Sequence, residues 1–301
     1  MNTAITVRVP ATTANLGPGF DCLGLALNLW NEADFSLEGS GLCIELQGEG
    51  IGSLPIDSSN AVAQGFFLFL KARHLPHPPG LKILCRNRIP PASGLGSSAS
   101  ALLIGLLAAN GLYGSPASLE EILTLACEVE GHADNTSAAL YGGLTLSIHE
   151  AQGWLVRRYP VPPLQVILAL PAINLPTRVA RAALPEQVSR EAAIHNIGRT
   201  ALMIEALTTG NLELLSRAIH DCLHQPYRLQ LIPGAAEAMQ AARHAGAAGV
   251  ALSGAGPSLI AFADHHHPEI GAAMQAAFEQ AGVSTRILHL TTSLEGAQVL
   301  I

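Results

Sequence analysis

Ten residues near the end of the first third of the chain have the composition of a phosphate-binding turn. Residues 90–99 read Pro-Pro-Ala-Ser-Gly-Leu-Gly-Ser-Ser-Ala. Gly94 and Gly96 lack the Cβ atoms that would keep the backbone from closing around an anion, while Ser97 and Ser98 offer hydroxyl donors. Residues 99–110 are rich in Ala and Leu and favour a helix. Because the first N–H groups and the dipole of a helix attract anions, this glycine loop (residues 90–99) indicates an enzyme that uses a nucleotide.

Three other interpretations of the glycine loop compete with this one. No lysine follows the glycines, so the G-x-x-x-x-G-K-S/T motif of P-loop NTPases is absent. Gly94-x-Gly96-x-x-Ala99 fits the loose dinucleotide fingerprint, although the double proline interrupts the strand that should lead into the first glycine. The remaining interpretation is a Gly/Ser-rich helix cap that binds no ligand.

Three further turns place polar side chains beside a rigid backbone. Residues 10–21 combine Asn15 and Asp21 with prolines and glycines. Residues 130–135 read Glu-Gly-His-Ala-Asp-Asn at the end of an expected helix, and residues 252–258 read Leu-Ser-Gly-Ala-Gly-Pro-Ser. Each of them alone is compatible with an ordinary turn. The four turns together favour a shared site.

In this order the four turns resemble those of the GHMP kinases. The glycine loop and residues 252–258 are similar to motifs shared across that family. Four more specific stretches resemble one branch of it, the homoserine kinases: residues 10–21, residues 130–135, Thr177-x-x-Ala180-Arg181 and Asp221-x-x-His224-x-Pro226-Tyr227-Arg228. The resemblance runs from residue 7 to the last expected strand and so covers nearly the whole chain.

The patterns around these turns predict an α+β protein with two lobes. Alternating or compact apolar runs predict strands at residues 4–9, 25–37, 41–48, 81–87, 165–170, 250–253, 258–263 and 284–290, with another ending at 148. Helical periodicity and capping residues predict helices at 60–73, 119–130, 190–207, 212–222, 235–245 and 269–281. Both halves mix strands and helices. The resemblance implies the two-lobed GHMP kinase fold, with an N-terminal ATP-binding lobe at residues 1–155 that carries the glycine loop. A ferredoxin-like C-terminal lobe would follow at residues 156–301.

The resemblance also implies ATP and Mg²⁺ as cofactors. The residues expected to bind the nucleotide are Asn60, Pro91, Ser93, Gly94, Leu95, Gly96, Ser97 and Ser98. Magnesium prefers oxygen ligands and keeps several waters. The Glu130 carboxylate and the Ser98 hydroxyl are therefore the expected metal ligands, provided that residues 130–135 lie beside the glycine loop.

The acceptor implied by the resemblance is L-homoserine, whose side-chain hydroxyl would receive the γ-phosphate of ATP. A guanidinium group is planar and binds a carboxylate through two hydrogen bonds. Arg181 and Arg228 are therefore expected to bind the α-carboxylate, and Asp21 the ammonium group. By the same resemblance, Asn15, His132 and Gly254 also line the amino acid site, and Asn135 and Thr177 lie near the reacting hydroxyl, with Glu130 and Asp134 as further catalytic candidates.

The fate of the hydroxyl proton has two open answers. Asp134 matches the position taken as a general base in mevalonate kinases, but that role usually needs a lysine partner. No lysine precedes Lys71 in this chain. In the other route the γ-phosphate itself takes the proton while Asn135 orients the hydroxyl.

Composition restricts the class of partner. The formal net charge is -7 and no run of Lys or Arg occurs, so neither nucleic acid nor an anionic membrane is the expected partner. Five scattered Cys residues without C-x-x-C spacing fit reduced thiols in the cytoplasm. Residues 1–29 lack the pattern of a signal peptide. Adjacent histidines at 265–267 favour a solvated loop over a metal site, because known sites use spaced ligands. The sequence leaves a homodimer open.

Two rival functions stay in view. One is a GHMP kinase that acts on a different small alcohol, although a diphosphate-bearing alcohol would need lysine-rich surroundings. The other is a ligand-sensing protein that kept the fold without catalysis, which the presence of Glu130, Ser98 and Asn135 disfavours.

Overall fold

The computed structural model describes residues 4–300 and contains two β-sheets covered by helices. The larger sheet has seven strands, which are β1 (Ala4–Ala14), β2 (Leu23–Ser36), β3 (Gly41–Gly48), β4 (Gly80–Asn87), β5 (Leu144–Glu150), β6 (Gly153–Tyr159) and β11 (Gln298–Leu300). Five of them lie in the order β11-β1-β2-β4-β3, and β5 pairs with both β2 and β6. All pairs are antiparallel except that of β3 and β4.

The smaller sheet is antiparallel throughout. Its strands are β7 (Gln165–Pro171), β8 (Gly249–Leu252), β9 (Leu259–Phe262) and β10 (Thr285–Thr291), in the order β10-β7-β9-β8. Strands β8 and β9 flank the turn at residues 252–258, so this sheet carries one of the four polar turns.

Ten α-helices complete the fold within the described part of the chain. Four belong to the first half: α1 (Ala61–Ala72), α2 (Ser97–Leu112), α3 (Leu119–Glu130) and α4 (Asp134–Tyr141). Six belong to the second half: α5 (Thr177–Ala182), α6 (Arg190–Thr209), α7 (Leu212–Ala218), α8 (Gln225–Arg228), α9 (Ala235–His244) and α10 (His267–Gln280). No helix within residues 4–300 is long and apolar enough to cross a membrane.

Helix α2 is buried on nearly every side, because its residues are almost all Ala, Leu and other small or apolar types. It packs closely against α1 at Gly105, where an added Cβ would collide with the backbone oxygen of Val62. Helix α2 begins at Ser97, within the glycine loop and directly after Gly96.

The apolar core joins the two sheets. One cluster packs the larger sheet against α1, α2 and α3, and another packs the smaller sheet against α9 and α10. A third cluster combines Leu25 of β2, Leu95 of the glycine loop, Leu168 of β7 and Leu207 of α6. The glycine loop therefore lies where the two sheets meet.

The predicted α+β class is confirmed, and every predicted helix and strand is present with shifts of a few residues at its ends. The largest shift at a helix end is in α7, which stops at Ala218 rather than at residue 222. Helices α4, α5 and α8 and strands β6 and β11 were not predicted. The predicted boundary between residues 155 and 156 falls inside β6, which pairs only with β5. The position at which the lobes divide stays a prediction. Residues 1–3 and 301, included in the predicted lobes, lie outside the described residues, as does the start of the segment judged to lack a signal peptide.

Candidate active site

One cleft at the junction of the two sheets brings together the four polar turns. Its lining includes all but three of the predicted site residues, namely Asn15, Asp21, Ser93, Gly94, Gly96, Ser97, Ser98, Glu130, His132, Asp134, Asn135, Thr177, Arg181, Arg228 and Gly254. Asn60 and Pro91 line an adjoining cavity that shares Ser97 and Ser98 with the cleft. Leu95 lies in neither cavity, because its side chain is fully buried in the core between the sheets. What each of these residues does stays a prediction.

The glycine loop presents backbone N–H groups to the cleft. Gly96 is the residue that precedes α2, and it adopts a left-handed conformation with φ of 67°. No side chain caps the first turn of α2, so its free N–H groups are available to an anion. The loop is held from behind, since Ser253 Oγ donates to Gly94 O at 2.8 Å and Thr12 N donates to Leu95 O at 3.1 Å.

A carboxylate and a hydroxyl meet beside this helix start. Ser98 Oγ donates to Glu130 Oε1 at 2.6 Å across the cleft from the end of α3. The two oxygen donors that were expected to bind magnesium are thus in contact. Within residues 4–300 no cluster of three or more His, Cys, Asp or Glu side chains is arranged to hold a metal. A cation here would need phosphate oxygens and waters to complete its shell, as Mg²⁺ commonly has.

His132 and Asp134 form a buried pair where α3 gives way to α4. Asp134 is 1% exposed, and its Oδ1 accepts hydrogen bonds from His132 Nδ1 at 2.8 Å and from the backbone N–H of Asn135 at 2.7 Å. The hydrogen bond with Asp134 raises the pKa of His132, against the opposing effect of burial. The partner of this carboxylate is therefore a histidine rather than the lysine that a general base usually has.

Asn135 is oriented by a side chain from the larger sheet. Thr12 Oγ1, near the end of β1, donates to Asn135 Oδ1 at 2.7 Å. This bond occupies the amide oxygen. The Asn135 NH₂ group, whose bond to Asp134 Oδ1 is long at 3.4 Å, can donate towards the cleft.

The two arginines have different surroundings. Arg181 makes two hydrogen bonds to the Asp21 carboxylate, at 2.7 and 2.9 Å. Both side chains are partly exposed. Asp21 is itself placed by Asn15, whose Oδ1 accepts from the Asp21 N–H at 2.8 Å. The predicted partner of an ammonium group thus pairs with an arginine.

Arg228 is a buried cation with no carboxylate within 4.0 Å among the described residues. The side chain is 1% exposed and makes three polar contacts of 3.4 Å, to Ala180 O, Gly254 O and His224 Nδ1. Burial lowers its pKa to about 10. A buried charge without a partner is costly, so this position favours an anionic group arriving in the cleft.

The helix that ends at Arg228 is anchored by Asp221. The Asp221 carboxylate accepts the N–H groups of Leu223, His224 and Gln225, at 2.9, 3.0 and 2.7 Å, and the side-chain amide of Asn196 at 2.7 Å. His224 is fully buried, and burial lowers its pKa. Its Nε2 lies 2.8 Å from Gly17 O, so the two polar segments 10–21 and 221–228 are directly linked.

Several of these supporting residues lie in the motifs of the sequence but were given no predicted role. Thr12 and Phe20 lie within the first polar turn, and Asp221 and His224 begin the segment that ends at Arg228. The available signal was the residue types, because Asp commonly accepts nearby backbone N–H groups in turns and Pro226 lies in the first turn of α8.

Two family models match the chain. Residues 60–143 match the GHMP kinases N terminal domain, and residues 203–280 match the GHMP kinases C terminal domain. The chain belongs to the GHMP kinase family. Because members of this family are ATP-dependent kinases, the nucleotide interpretation of the glycine loop holds over the dinucleotide and ligand-free interpretations.

Similar proteins cover the whole length of the chain. The homoserine kinase of Moorella thermoacetica is 45% identical over 296 residues, covering 98% of this chain and 99% of that protein. The homoserine kinase of Microchaete diplosiphon is 43% identical, covering 99% and 97%. The crystal structure of homoserine kinase from Cytophaga hutchinsonii matches with a TM-score of 0.87 and 31% identity, covering 100% and 98%. A structure of L. major mevalonate kinase with R-mevalonate, at 19% identity and TM-score 0.76, covering 96% of each chain, shares the fold alone.

Proposed function

We propose that this chain transfers the γ-phosphate of ATP to the side-chain hydroxyl of L-homoserine, giving ADP and O-phospho-L-homoserine. The observation that carries the proposal is Arg228, a buried guanidinium without a carboxylate partner in the same cleft as the glycine loop. An amino acid brings the carboxylate that this position lacks. The full-length similarity to proteins named homoserine kinase supports the same substrate.

The nucleotide would bind across the glycine loop and the adjoining cavity. The free N–H groups at the start of α2 suit the phosphates of ATP. The cavity beside Ser97 and Ser98 includes Asn60, Pro91 and the apolar side chain of Leu54. A heterocyclic base fits such mixed surroundings. Leu95 would contribute through its backbone, because its side chain faces the core.

Glu130 and Ser98 would hold Mg²⁺, which neutralises phosphate charge when bound. Their 2.6 Å contact places two hard oxygen donors at the start of α2, where the phosphates are expected. This pair of oxygen atoms is the observation that supports a Mg²⁺ site here. The chain's own part is to set the position of the carboxylate, since Glu130 ends a helix whose Ser118–Glu121 capping box fixes its other end.

The amino acid would bind between the two arginines. Arg228 would receive the α-carboxylate, with Arg181 beside it. Asp21 would bind the ammonium group while remaining close to Arg181, since its two oxygens have lone pairs to spare. Asn15, His132 and Gly254 line the same part of the cleft.

The reaction would then need little from the protein beyond orientation. The homoserine hydroxyl oxygen attacks the γ-phosphorus, the bond from that phosphorus to the β–γ bridging oxygen breaks, and ADP leaves. Asn135, oriented by Thr12, would donate to the attacking hydroxyl oxygen, with Thr177 nearby. We infer that the hydroxyl proton passes to a γ-phosphate oxygen. Asp134 would serve to position His132 and the Asn135 backbone, because its Oδ1 already accepts bonds from both.

The setting we propose for the reaction is the cytoplasm, because all five cysteines are free thiols. The proposed function is compatible with either a monomer or a homodimer.

The test is a coupled assay of ADP release with L-homoserine, L-serine, mevalonate, galactose and shikimate as acceptors, each with and without magnesium. We expect homoserine to give by far the highest kcat/KM, and mass spectrometry to find one added phosphate on the amino acid. Equal or better turnover of another alcohol would refute the substrate assignment. A Glu128→Gln variant, altered at an exposed carboxylate two residues from Glu130, is a control for the Glu130→Gln variant in the magnesium titration.

A further inference from the structure

Phe20 lies against both arginines of the amino acid site. The Cζ atom of Arg228 is 5.0 Å from the centroid of the Phe20 ring, and the Cζ atom of Arg181 is 5.7 Å from it. Both distances fall within the range of a cation–π contact. No other aromatic ring among the described residues has two arginines so close.

We propose that Phe20 is a positioning residue that holds the two guanidinium groups ready for the substrate carboxylate. This role rests on the proposed function, since it presupposes a carboxylate-bearing substrate in the cleft. Phe20 itself takes no part in the chemical step. It acts through Arg228 and Arg181.

An aromatic ring can hold a cation without neutralising it. A carboxylate next to Arg228 would fix its orientation but would also use its hydrogen-bond donors and cancel its charge. The face of a phenyl ring attracts the guanidinium through its quadrupole and leaves the N–H groups free. Arg228 has only long polar contacts, at 3.4 Å, so the ring is a principal constraint on its position.

The ring is itself fixed by buried groups. It stacks on the His224 imidazole with a centroid distance of 5.2 Å and an interplanar angle of 24°. His224 is immobilised in turn, because it is fully buried and its Nε2 contacts Gly17 O. Two residues of α6 hold the same loop, since Thr200 Oγ1 and Asn196 Nδ2 both donate to Pro18 O. The ring therefore does not depend on substrate for its placement.

The position of Phe20 in sequence adds to this role. The next residue, Asp21, pairs with Arg181 and is the proposed partner of the substrate ammonium. One short loop thus sets the ammonium partner and the orientation of both arginines relative to each other. A substrate with a carboxylate and an ammonium on one carbon atom needs that fixed relation.

The proposed test replaces the ring and follows recognition of the carboxylate. Phe20→Leu keeps an apolar side chain but removes the π face. We expect the KM for L-homoserine to rise about 10-fold, as losing two partly desolvated cation–π contacts implies. The KM for ATP should stay within twofold, and Phe20→Tyr should restore most of the homoserine affinity.

A second substrate separates positioning from a general structural role. L-Homoserinamide carries the same hydroxyl and ammonium but has a neutral amide in place of the carboxylate. The ratio of kcat/KM for homoserine to that for the amide should fall about 10-fold in Phe20→Leu, because only the carboxylate depends on the arginines. Equal losses on both substrates would overturn the proposal.

Phe67→Leu is a matched control. Phe67 also stacks on a histidine, His77, at 5.1 Å, but no arginine lies over its ring. Its kinetic constants should match those of the wild type. If thermal melting shows that Phe20→Leu folds poorly, Phe20→Met takes its place in the same comparison.

The outcomes distinguish this inference from the proposed function. Wild-type protein that releases no ADP with homoserine would overturn the proposed function, and the role of Phe20 with it. Wild-type turnover together with an unchanged homoserine KM in both Phe20→Leu and Phe20→Met would overturn the role of Phe20 alone.

Discussion

Replacing Arg228 by methionine should destroy homoserine recognition without destabilising the fold. Removing one partner of a buried ion pair usually costs several kcal/mol, because the other charge is left unpaired. Arg228 has no such partner among the described residues. Its removal leaves no stranded carboxylate and relieves a buried cation, so the usual penalty is absent.

The size of the effect follows from the surroundings of the side chain. Burial lowers the pKa of Arg228 to about 10, well below the ordinary value of an arginine side chain. A difference of that size corresponds to roughly 3 kcal/mol against the charged form. Methionine would lose three long hydrogen bonds, to Ala180 O, Gly254 O and His224 Nδ1, worth about 0.5–1 kcal/mol each. The cation–π contact with Phe20 is worth roughly another 0.5–1 kcal/mol. The net change in the free energy of unfolding should therefore lie within about 1 kcal/mol of zero.

The assay pairs thermal melting with steady-state kinetics. A change of about 1 kcal/mol in the free energy of unfolding of a chain of this size shifts Tm by about 2 °C, so the Tm of Arg228→Met should lie within about 2 °C of the wild type. The kcat/KM for homoserine should fall roughly 30- to 1,000-fold, as for the loss of one buried charge-assisted contact. The KM for ATP should barely move. The conservative variant Arg228→Lys should have a kcat/KM for homoserine between those of the wild type and Arg228→Met, because it keeps the charge and loses the planar guanidinium.

Arg181→Met serves as the comparison. Arg181 pairs with Asp21 at the cleft surface, where both side chains are partly exposed, so losing the pair should cost at most about 1 kcal/mol of stability. A Tm for Arg228→Met that is more than 5 °C below the wild type, with homoserine kinetics intact, would refute the reasoning. Arg228 would then be a structural residue, and the carboxylate site would lie elsewhere.

Three further outcomes are expected. Glu130→Gln should lower kcat at least ~100-fold at ordinary magnesium concentrations, which is comparable with losing a key electrostatic contact. Near-normal turnover, equal to that of Glu128→Gln, would show that Glu130 does not belong to the site. Thr12→Val should lower kcat about 10-fold with little change in either KM, and Thr12→Ser should recover it; a loss confined to Tm would leave Thr12 a structural role only. Because the hydrogen bond with Asp134 raises the pKa of His132, the stability this pair contributes is fully present below the unfolded pKa of about 6.5 and is lost as pH rises through the folded pKa. The free energies of unfolding of the wild type and of His132→Asn, measured with urea, should therefore differ most at acid pH and converge as the pH rises. A difference that grows with pH would contradict the assignment.

Local sequence signals predicted the helices well where a helix cap or the apolar periodicity is strong. The helix predicted at residues 119–130 is confirmed as α3, and Ser118 and Glu121 form a capping box at its start. Helix α4 was missed because Asp134–Tyr141 is short, has weak apolar periodicity and has no side chain that caps its start.

Two strands that are recognisable only beside their partners escaped prediction. The predicted lobe boundary between residues 155 and 156 falls within β6, which pairs along its whole length with the preceding strand β5. Strand β11 has three residues and pairs with β1 from the far end of the chain. Neither has enough apolar alternation to be recognised without its neighbour.

The candidate site was predicted as a set of residues but not as a set of contacts. Residue types, turns and the resemblance to the GHMP kinases pointed to most of the residues that line the cleft. The pairing of Asp21 with Arg181 joins positions 160 residues apart, and no spacing rule reports it. The same holds for the bond from Thr12 to Asn135, 123 residues away. Which side chains form hydrogen bonds with each other is decided by how the two sheets pack.

That packing converges on the end of β1 and the loop that follows it. The segment is nearly inaccessible to solvent from Ala11 to Leu16. Each of several successive positions along this segment and the following loop contacts a different part of the cleft. The hydrogen-bonded pairs are Thr12 with Asn135, Thr13 with Ser253, Ala14 O with the Gly254 N–H, Gly17 O with His224, and Asp21 with Arg181. Because these contacts reach both halves of the chain, the proposed nucleotide part and the proposed amino acid part of the cleft are held by the same buried segment. A kinase that works by orientation needs its two substrates in fixed register, and a continuous buried segment provides that register more firmly than two lobes joined by a flexible linker.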